Sequence, residues 1–266
     1  MNGLAGLAWA NVELTSRCNK SCWMCGRRKR DREAPGTVEY GDMPWPLVEA
    51  IALQLPCGVL KQLHWNGEPL LYPDLGQALE KFTPPVSLDT NGKLLVERAG
   101  EIIDNLDTLA VSVFAGDPEQ APQLEILREF LRLRGDRRPL VVARILGDVP
   151  AEPYTALGCV VARRSMHAPD MSRDYAQAAP PVPECGVCLE ALHHLAIART
   201  GDVSMCPRYD PAGRGVIGRV PDQTLEEIWC GWQRSAAVDL HLTGNRGSLA
   251  LCRECEYWGI PTGGPT

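Results

Sequence analysis

Residues 8–25, AWANVELTSRCNKSCWMC, decide how the rest of the chain is read. Residues 8–15 alternate apolar and polar side chains and predict a β-strand. That strand runs directly into a loop with three cysteines, Cys18, Cys22 and Cys25, spaced CxxxCxxC. Three thiolates at this spacing can hold three irons of a [4Fe–4S] cube and leave the fourth iron open to a ligand. A zinc ion that borrows a fourth ligand, such as a histidine, is the alternative.

Downstream, helix-like and strand-like stretches alternate. A helix is predicted over 44–56, a strand over 59–65, a helix near 70–82, a strand over 86–90 and a helix near 93–104. A strand over 107–114, a helix near 118–134, and strands over 139–146 and 158–164 follow. Strands joined by helices form a parallel sheet through crossover connections. Six such units predict an α/β fold, a partial (β/α)6 TIM-like barrel, because a complete eight-unit barrel takes about 250 residues. The functional groups then belong at the carboxyl ends of the strands.

The pattern changes after residue 166. Four prolines, Pro169, Pro180, Pro181 and Pro183, mark 167–184 as a linker between a barrel at 1–166 and a small domain at 185–266. There LHHLAIART-GDVSMCP predicts a β-hairpin turned at Gly201-Asp202. Thr224 to Glu227 reads as a capping box opening a helix through about 240. So small a unit is marginal alone, and a metal centre would staple it.

Composition narrows the function. Of 266 residues, 45% are hydrophobic and 23% charged, which excludes a disordered chain. Acidic residues exceed basic ones, 33 against 27, so a broad nucleic-acid surface is not expected. No apolar run approaches the ~20 residues of a membrane span, and no basic segment precedes the apolar start. The expectation is a cytoplasmic chain without nucleic-acid or membrane partners. Eleven cysteines in such a chain read as metal ligands rather than disulfides, and their grouping at the two ends predicts two metal centres.

A second segment, Trp65-Asn66-Gly67-Glu68-Pro69-Leu70-Leu71, follows the second strand. The CxxxCxxC loop, with apolar Met24 before its third cysteine, and this NGEP segment together resemble the radical S-adenosylmethionine (SAM) superfamily. The resemblance implies that Cys18, Cys22 and Cys25 bind a [4Fe–4S] cluster. It implies that Gly67, Glu68 and Pro69 hold the methionine amino group of SAM, with Asn66 standing where the family usually has glycine. Further SAM contacts are implied at Thr90 and Asn91, at Ser112, and at Arg144 and Leu146. The implied chemistry is reductive cleavage of SAM to a 5′-deoxyadenosyl radical that removes a hydrogen atom from carbon.

Cys188, Gly201, Cys206 and the pair Cys252-x-x-Cys255 resemble the auxiliary-cluster domain SPASM in its short form, Twitch. That implies one auxiliary [4Fe–4S] cluster on Cys188, Cys206, Cys252 and Cys255, since eleven residues follow Cys255. Cys185 could replace Cys188, and a four-cysteine zinc site is the alternative.

Cys57, Cys159 and Cys230 remain. A free cysteine usually packs as a small hydrophobe. The functional reading makes one of them, first of all Cys230, a thiol that donates a hydrogen atom to a substrate radical. The run Arg27-Arg28-Lys29-Arg30-Asp31-Arg32 reads as a solvated face or as a docking patch for an acidic electron donor such as flavodoxin. His64 can face the pocket or pack, and the other four histidines show no ligand spacing.

The resemblance to small superfamily members with one Twitch cluster implies a substrate among the aminoglycosides and aminocyclitols. The expected reaction is epimerisation of an aminoglycoside or related aminosugar, with Cys230 returning the hydrogen. The alternatives are dehydrogenation of an aminocyclitol or sugar alcohol, with the auxiliary cluster as electron acceptor, and maturation of a ribosomal peptide. A peptide-recognition domain is not expected, because the first strand begins within the first dozen residues.

Overall fold

The computed structural model describes residues 3–164, 187–207, 210, 212–253 and 255. The predicted linker at 167–184 and Cys185 lie outside them. Five strand–helix units and a sixth strand are present among the described residues: β1 (Trp9–Val12), α1 (Gly26–Glu33), α2 (Trp45–Ala52), β2 (Leu60–Gln62), α3 (Leu75–Lys81), β3 (Val86–Thr90), α4 (Ala99–Ile102), β4 (Thr108–Phe114), α5 (Gln120–Arg134), β5 (Leu140–Leu146), α6 (Glu152–Ala156) and β6 (Val160–Arg164). Then come α7 (Leu189–His193), β7 (His194–Ile197), β8 (Asp202–Ser204), β9 (Val216–Arg219), α8 (Leu225–Trp229) and α9 (Trp232–Leu242).

The nine strands form one sheet in the order β6-β5-β4-β3-β2-β1-β7-β8-β9. It is open, with β6 and β9 at its edges, as a partial barrel requires. β1 to β6 pair in parallel. Along β5 burial alternates: Val141, Ala143 and Ile145 are buried, while Val142, Arg144 and Leu146 are only half-covered. The first set joins Leu127, Phe130 and Leu131 of α5 in the apolar core. The second set lies on the opposite, concave face, which is therefore free to carry polar groups.

Three features depart from the sequence reading. β7 is not confined to a separate hairpin, because it pairs in parallel with β1 from Trp9↔His194 to Val12↔Ile197. The hairpin to β8 forms, and its turn closes with the Gly201 N–H on the Ala198 carbonyl at 2.8 Å. Gly201 is required there: its φ is +90°, and a Cβ would lie 2.1 Å from the Val220 carbonyl oxygen. The helix expected from 224 to 240 is two helices. The capping box of Thr224 and Glu227 is present, but α8 ends at Cys230 and the chain extends at Gly231 (φ −69°, ψ 158°) before α9. Finally, the basic run expected at the surface forms α1. No helix among the described residues is long and apolar enough to cross a membrane.

Candidate active site

β1 leads through Glu13 to Arg17 into the cysteine loop, so Cys18, Cys22 and Cys25 stand at the carboxyl end of the sheet. Burial pushes the Cys18 and Cys22 thiols up, and the neighbouring thiols add to it, taking Cys22 to about 12. Cys25 lies close enough to both to add to that rise, and three thiols held together in this way fit an iron–sulfur core, whose positive charge would complete them. Arg28 pins the loop: Nε and Nη2 donate to the Lys20 carbonyl at 3.1 and 2.9 Å, and Nη2 to the Cys18 carbonyl at 3.1 Å. Lys20, buried in the loop, pairs with buried Asp117 at 2.5 Å. Met24 is half-buried between Trp23 and Cys25, and the Trp23 indole N–H donates to the Ala115 carbonyl at 3.2 Å.

The NGEP segment lies against the base of this loop. A Cβ on Gly67 would fall 2.0 Å from the Thr15 carbonyl oxygen, so only glycine permits the approach. The Glu68 N–H donates to the Arg17 carbonyl at 2.7 Å, and Pro69 opens a short 3-10 turn to Leu71. Buried Glu68 accepts from the Thr90 hydroxyl at 2.6 Å, from the Leu70 N–H at 3.1 Å and from the Asn91 N–H at 2.7 Å. Burial raises its pKa, and those three donors oppose the rise. The Asn91 amide donates to Asn19 Oδ1 at 2.8 Å and lies 3.9 Å from Cys18 Sγ. Cysteine loop, Glu68, Thr90 and Asn91 thus form one cradle. Asn66 holds Glu13 instead, through its backbone N–H at 3.2 Å.

Ser112 and Arg144 extend the cradle across the sheet. Gln123 donates to the Asn91 and Ser112 carbonyls at 2.6 and 3.0 Å. Arg144 donates to the Ser112 hydroxyl at 2.9 Å and pairs with Asp89. His64 Nδ1 lies 3.9 Å from the same Asp89 carboxylate. Burial pushes the His64 imidazole down to about 4, against the pull of Asp89 and with the Arg144 charge adding to the fall. Leu146 ends β5 beyond this group, and its carbonyl accepts from the Ala115 N–H at 3.0 Å.

The second cysteine group is gathered in part. Cys188 caps α7, and the charges of Cys188, Cys252 and Cys255 act on one another; burial and those neighbours push the Cys252 thiol to about 11. These thiols are near enough to influence one another, although among the described residues no three ligand side chains stand in a preformed metal site. Cys206 follows β8, beside Pro207, whose carbonyl accepts from the Trp65 indole N–H. Arg199 in the hairpin turn adds a second tie. Its N–H donates to Glu13 at 3.2 Å, its Nε to the Ser16 hydroxyl at 3.1 Å and its Nη2 to the Glu39 carbonyl at 2.8 Å. Glu13, Asp89, Gln123 and Arg199 were not singled out in the sequence, although an acid inside an apolar strand (Glu13 in ANVELT) is a readable signal.

The structure does not bring the three remaining thiols to the cradle. Cys57 precedes β2 and Cys159 precedes β6. Cys230 ends α8 with its Sγ 3.2 Å from the carbonyl of Gly3, which precedes β1. All three lie at the amino ends of strands, opposite the cysteine loop. Because Cys230 is exposed at that far end, Cys230→Ala is expected to leave SAM cleavage and product formation within about twofold of the parent, measured by 5′-deoxyadenosine release. The basic run also divides: Arg27 is buried, Arg28 is committed to the loop, and Arg30 and Arg32 face solvent.

The family described as the Radical SAM superfamily matches residues 12–145, half of the chain. The chain belongs to the radical SAM superfamily. Its C-terminal part, residues 188–256, matches the SPASM iron–sulfur cluster-binding domain. A radical SAM protein with a SPASM domain uses SAM, a [4Fe–4S] cluster that binds it, and auxiliary iron–sulfur chemistry, and both thiol groups described above suit that use. The chain is similar to an S-adenosyl-L-methionine-dependent 2-deoxy-scyllo-inosamine dehydrogenase of Niallia circulans, 22% identical over 94% of this chain and 93% of that protein. In fold it is similar to BtrN in complex with AdoMet and 2-DOIA, with a TM-score of 0.65, 19% identity and coverage of 98% and 97% of the two chains. Streptococcus suis SuiB bound to S-adenosylmethionine shares the fold at a TM-score of 0.55 and 14% identity, over 94% of this chain and 72% of SuiB.

Proposed function

We propose that this radical SAM enzyme is a dehydrogenase that oxidises a secondary alcohol of an aminocyclitol or a related aminosugar to a ketone. The observation that supports the reading is the placement of the loose thiols among the described residues: Cys57, Cys159 and Cys230 lie near the amino ends of strands, away from the cysteine loop. The epimerisation expected from the sequence depends on a thiol that returns the hydrogen atom, and dehydrogenation does not. The similarity to an aminocyclitol dehydrogenase supports the same choice.

When bound, SAM on its cluster supplies a hydrogen-abstracting 5′-deoxyadenosyl radical, and the auxiliary cluster supplies an acceptor for the electron leaving the substrate. Glu68, Thr90 and Asn91 orient SAM from the floor of the cradle. Cys18, Cys22 and Cys25 hold its cluster, and Cys188, Cys206, Cys252 and Cys255 hold the auxiliary one. Arg144 and Asp89 meet the polar groups of the substrate. His64, neutral through the physiological range, accepts the hydroxyl proton at Nε2 while Asp89 faces its Nδ1 side. Exposed Arg30 and Arg32 offer an acidic donor such as flavodoxin a place to dock beside the loop.

The test is anaerobic incubation of the reconstituted enzyme in D2O with SAM, dithionite and a panel of aminocyclitols and aminoglycosides. Mass spectrometry is expected to show a product two hydrogens lighter, in step with 5′-deoxyadenosine. An isomer carrying one deuterium would establish epimerisation instead.

A further inference from the structure

Arg27 is the second residue of α1, two positions beyond Cys25. It is only 3% exposed, and its guanidinium lies 4.2 Å from the Tyr40 ring. Its Nε and Nη1 are buried without a hydrogen-bond partner, and the nearby buried carboxylate, Glu13, acts on its charge without a salt bridge being formed between them among the described residues. A buried cation in this state is costly unless an anion completes its surroundings.

The other cations of the loop are already committed. Lys20 is paired with Asp117 at 2.5 Å, and Arg28 donates to the Cys18 and Lys20 carbonyls. The start of α1 points the same way, since Cys25 caps it without a side-chain hydrogen bond and no acidic residue lies in its first turn. The partial positive charge of the helix N-terminus therefore also faces the cysteine loop uncompensated.

We infer that Arg27 is a fixed counter-charge to the cluster held by Cys18, Cys22 and Cys25, and that it sets how readily this cluster accepts an electron. The inference rests on the reading of those three cysteines as ligands. A cube of charge +2 on three thiolates carries −1, and one electron from a low-potential reductant takes it to −2. Arg27 forms no bond and moves no proton. It stabilises the reduced state more than the oxidised one, because attraction to a fixed charge grows with the charge opposite it. It is a positioning residue for charge.

The experiment is an anaerobic redox titration of the holoenzyme, following the EPR signal that changes when SAM is added. Arg27→Gln is expected to lower the reduced-to-oxidised ratio at fixed potential at least tenfold, which for a one-electron couple is 59 mV. Arg27→Lys, which keeps the charge, is expected to stay within threefold, with the auxiliary signal unmoved in both variants. A parental midpoint in Arg27→Gln, or an equal shift in Arg27→Lys, would overturn the inference. Should Arg27→Gln fail to take up iron, normal loading and midpoint in Arg27→Lys support it, and failure of Arg27→Lys as well overturns it. A Cys25→Ala variant that keeps the SAM-responsive signal would instead remove the ligand reading beneath it.

Discussion

Gly67→Ala is expected to abolish SAM binding and to lower stability by about 3 kcal/mol, at the upper end of what overpacking costs. The added methyl carbon would sit 2.0 Å from the Thr15 carbonyl oxygen and 2.8 Å from that of Arg17. Neither neighbour is a side chain that can rotate away. Both belong to the backbone leading from β1 into the cysteine loop, which is held to the following segment by the Met43 N–H on the Leu14 carbonyl at 2.7 Å. Relief therefore requires the NGEP segment to lift from the loop, breaking the Glu68 N–H to Arg17 carbonyl bond and moving the carboxylate away from Thr90 and Asn91. Urea unfolding of the variant and equilibrium dialysis of SAM against the reconstituted protein measure the two effects. Unchanged binding would show that the segment does not depend on this contact.

Glu68→Gln is expected to weaken SAM binding roughly 10- to 100-fold while the protein still folds, on the basis of about 1.5–3 kcal/mol for a hydrogen bond to a charged group. The carboxylate offers four lone-pair sites and uses three of them on Thr90, Leu70 and Asn91. The amide keeps the volume but has one acceptor oxygen. Its NH2 must face either the Asn91 N–H or the Thr90 and Leu70 donors, stranding at least one donor in a buried place. It also removes the negative charge proposed to meet the ammonium group of SAM. The prediction is checked by the SAM concentration that half-saturates 5′-deoxyadenosine release. A rise there with intact iron content separates lost SAM contact from lost cluster.

The strand–helix series was legible because its strands are short apolar runs, alternating in β4 and β5, and its crossovers are bounded by glycine, proline or polar turns. β3 to β6 lie within one or two residues of the predicted ranges for that reason. The pairing of β7 with β1 was not legible, since HLAI carries no mark of its partner, and parallel neighbours far apart in sequence are chosen by the whole fold. The helix at 26–33 was hidden because its side chains are almost all charged. What anchors it is the burial of Gly26 and Arg27 and the grip of Arg28 on the loop. In the candidate site, Glu68 and the grouped cysteines could be singled out because their spacing is local in the sequence. The Asp89, Arg144 and His64 group was legible only in fragments, because register across strands, not order along the chain, brings those residues together. The place of Cys230 was not legible for the complementary reason: its helix packs through the Trp229 indole N–H on the Ala5 carbonyl at 3.0 Å, an anchor that nothing near residue 230 announces.

The ladder between β1 and β7 makes the C-terminal segment something other than a removable attachment. A chain cut after β6 would leave β1, the strand that carries the cysteine loop, with a bare row of N–H and C=O groups along one side. An edge of that kind recruits other chains. The borrowed strands thus cover the edge of the radical-generating half, and a shortened descendant of this enzyme would first have to evolve a new cover for it.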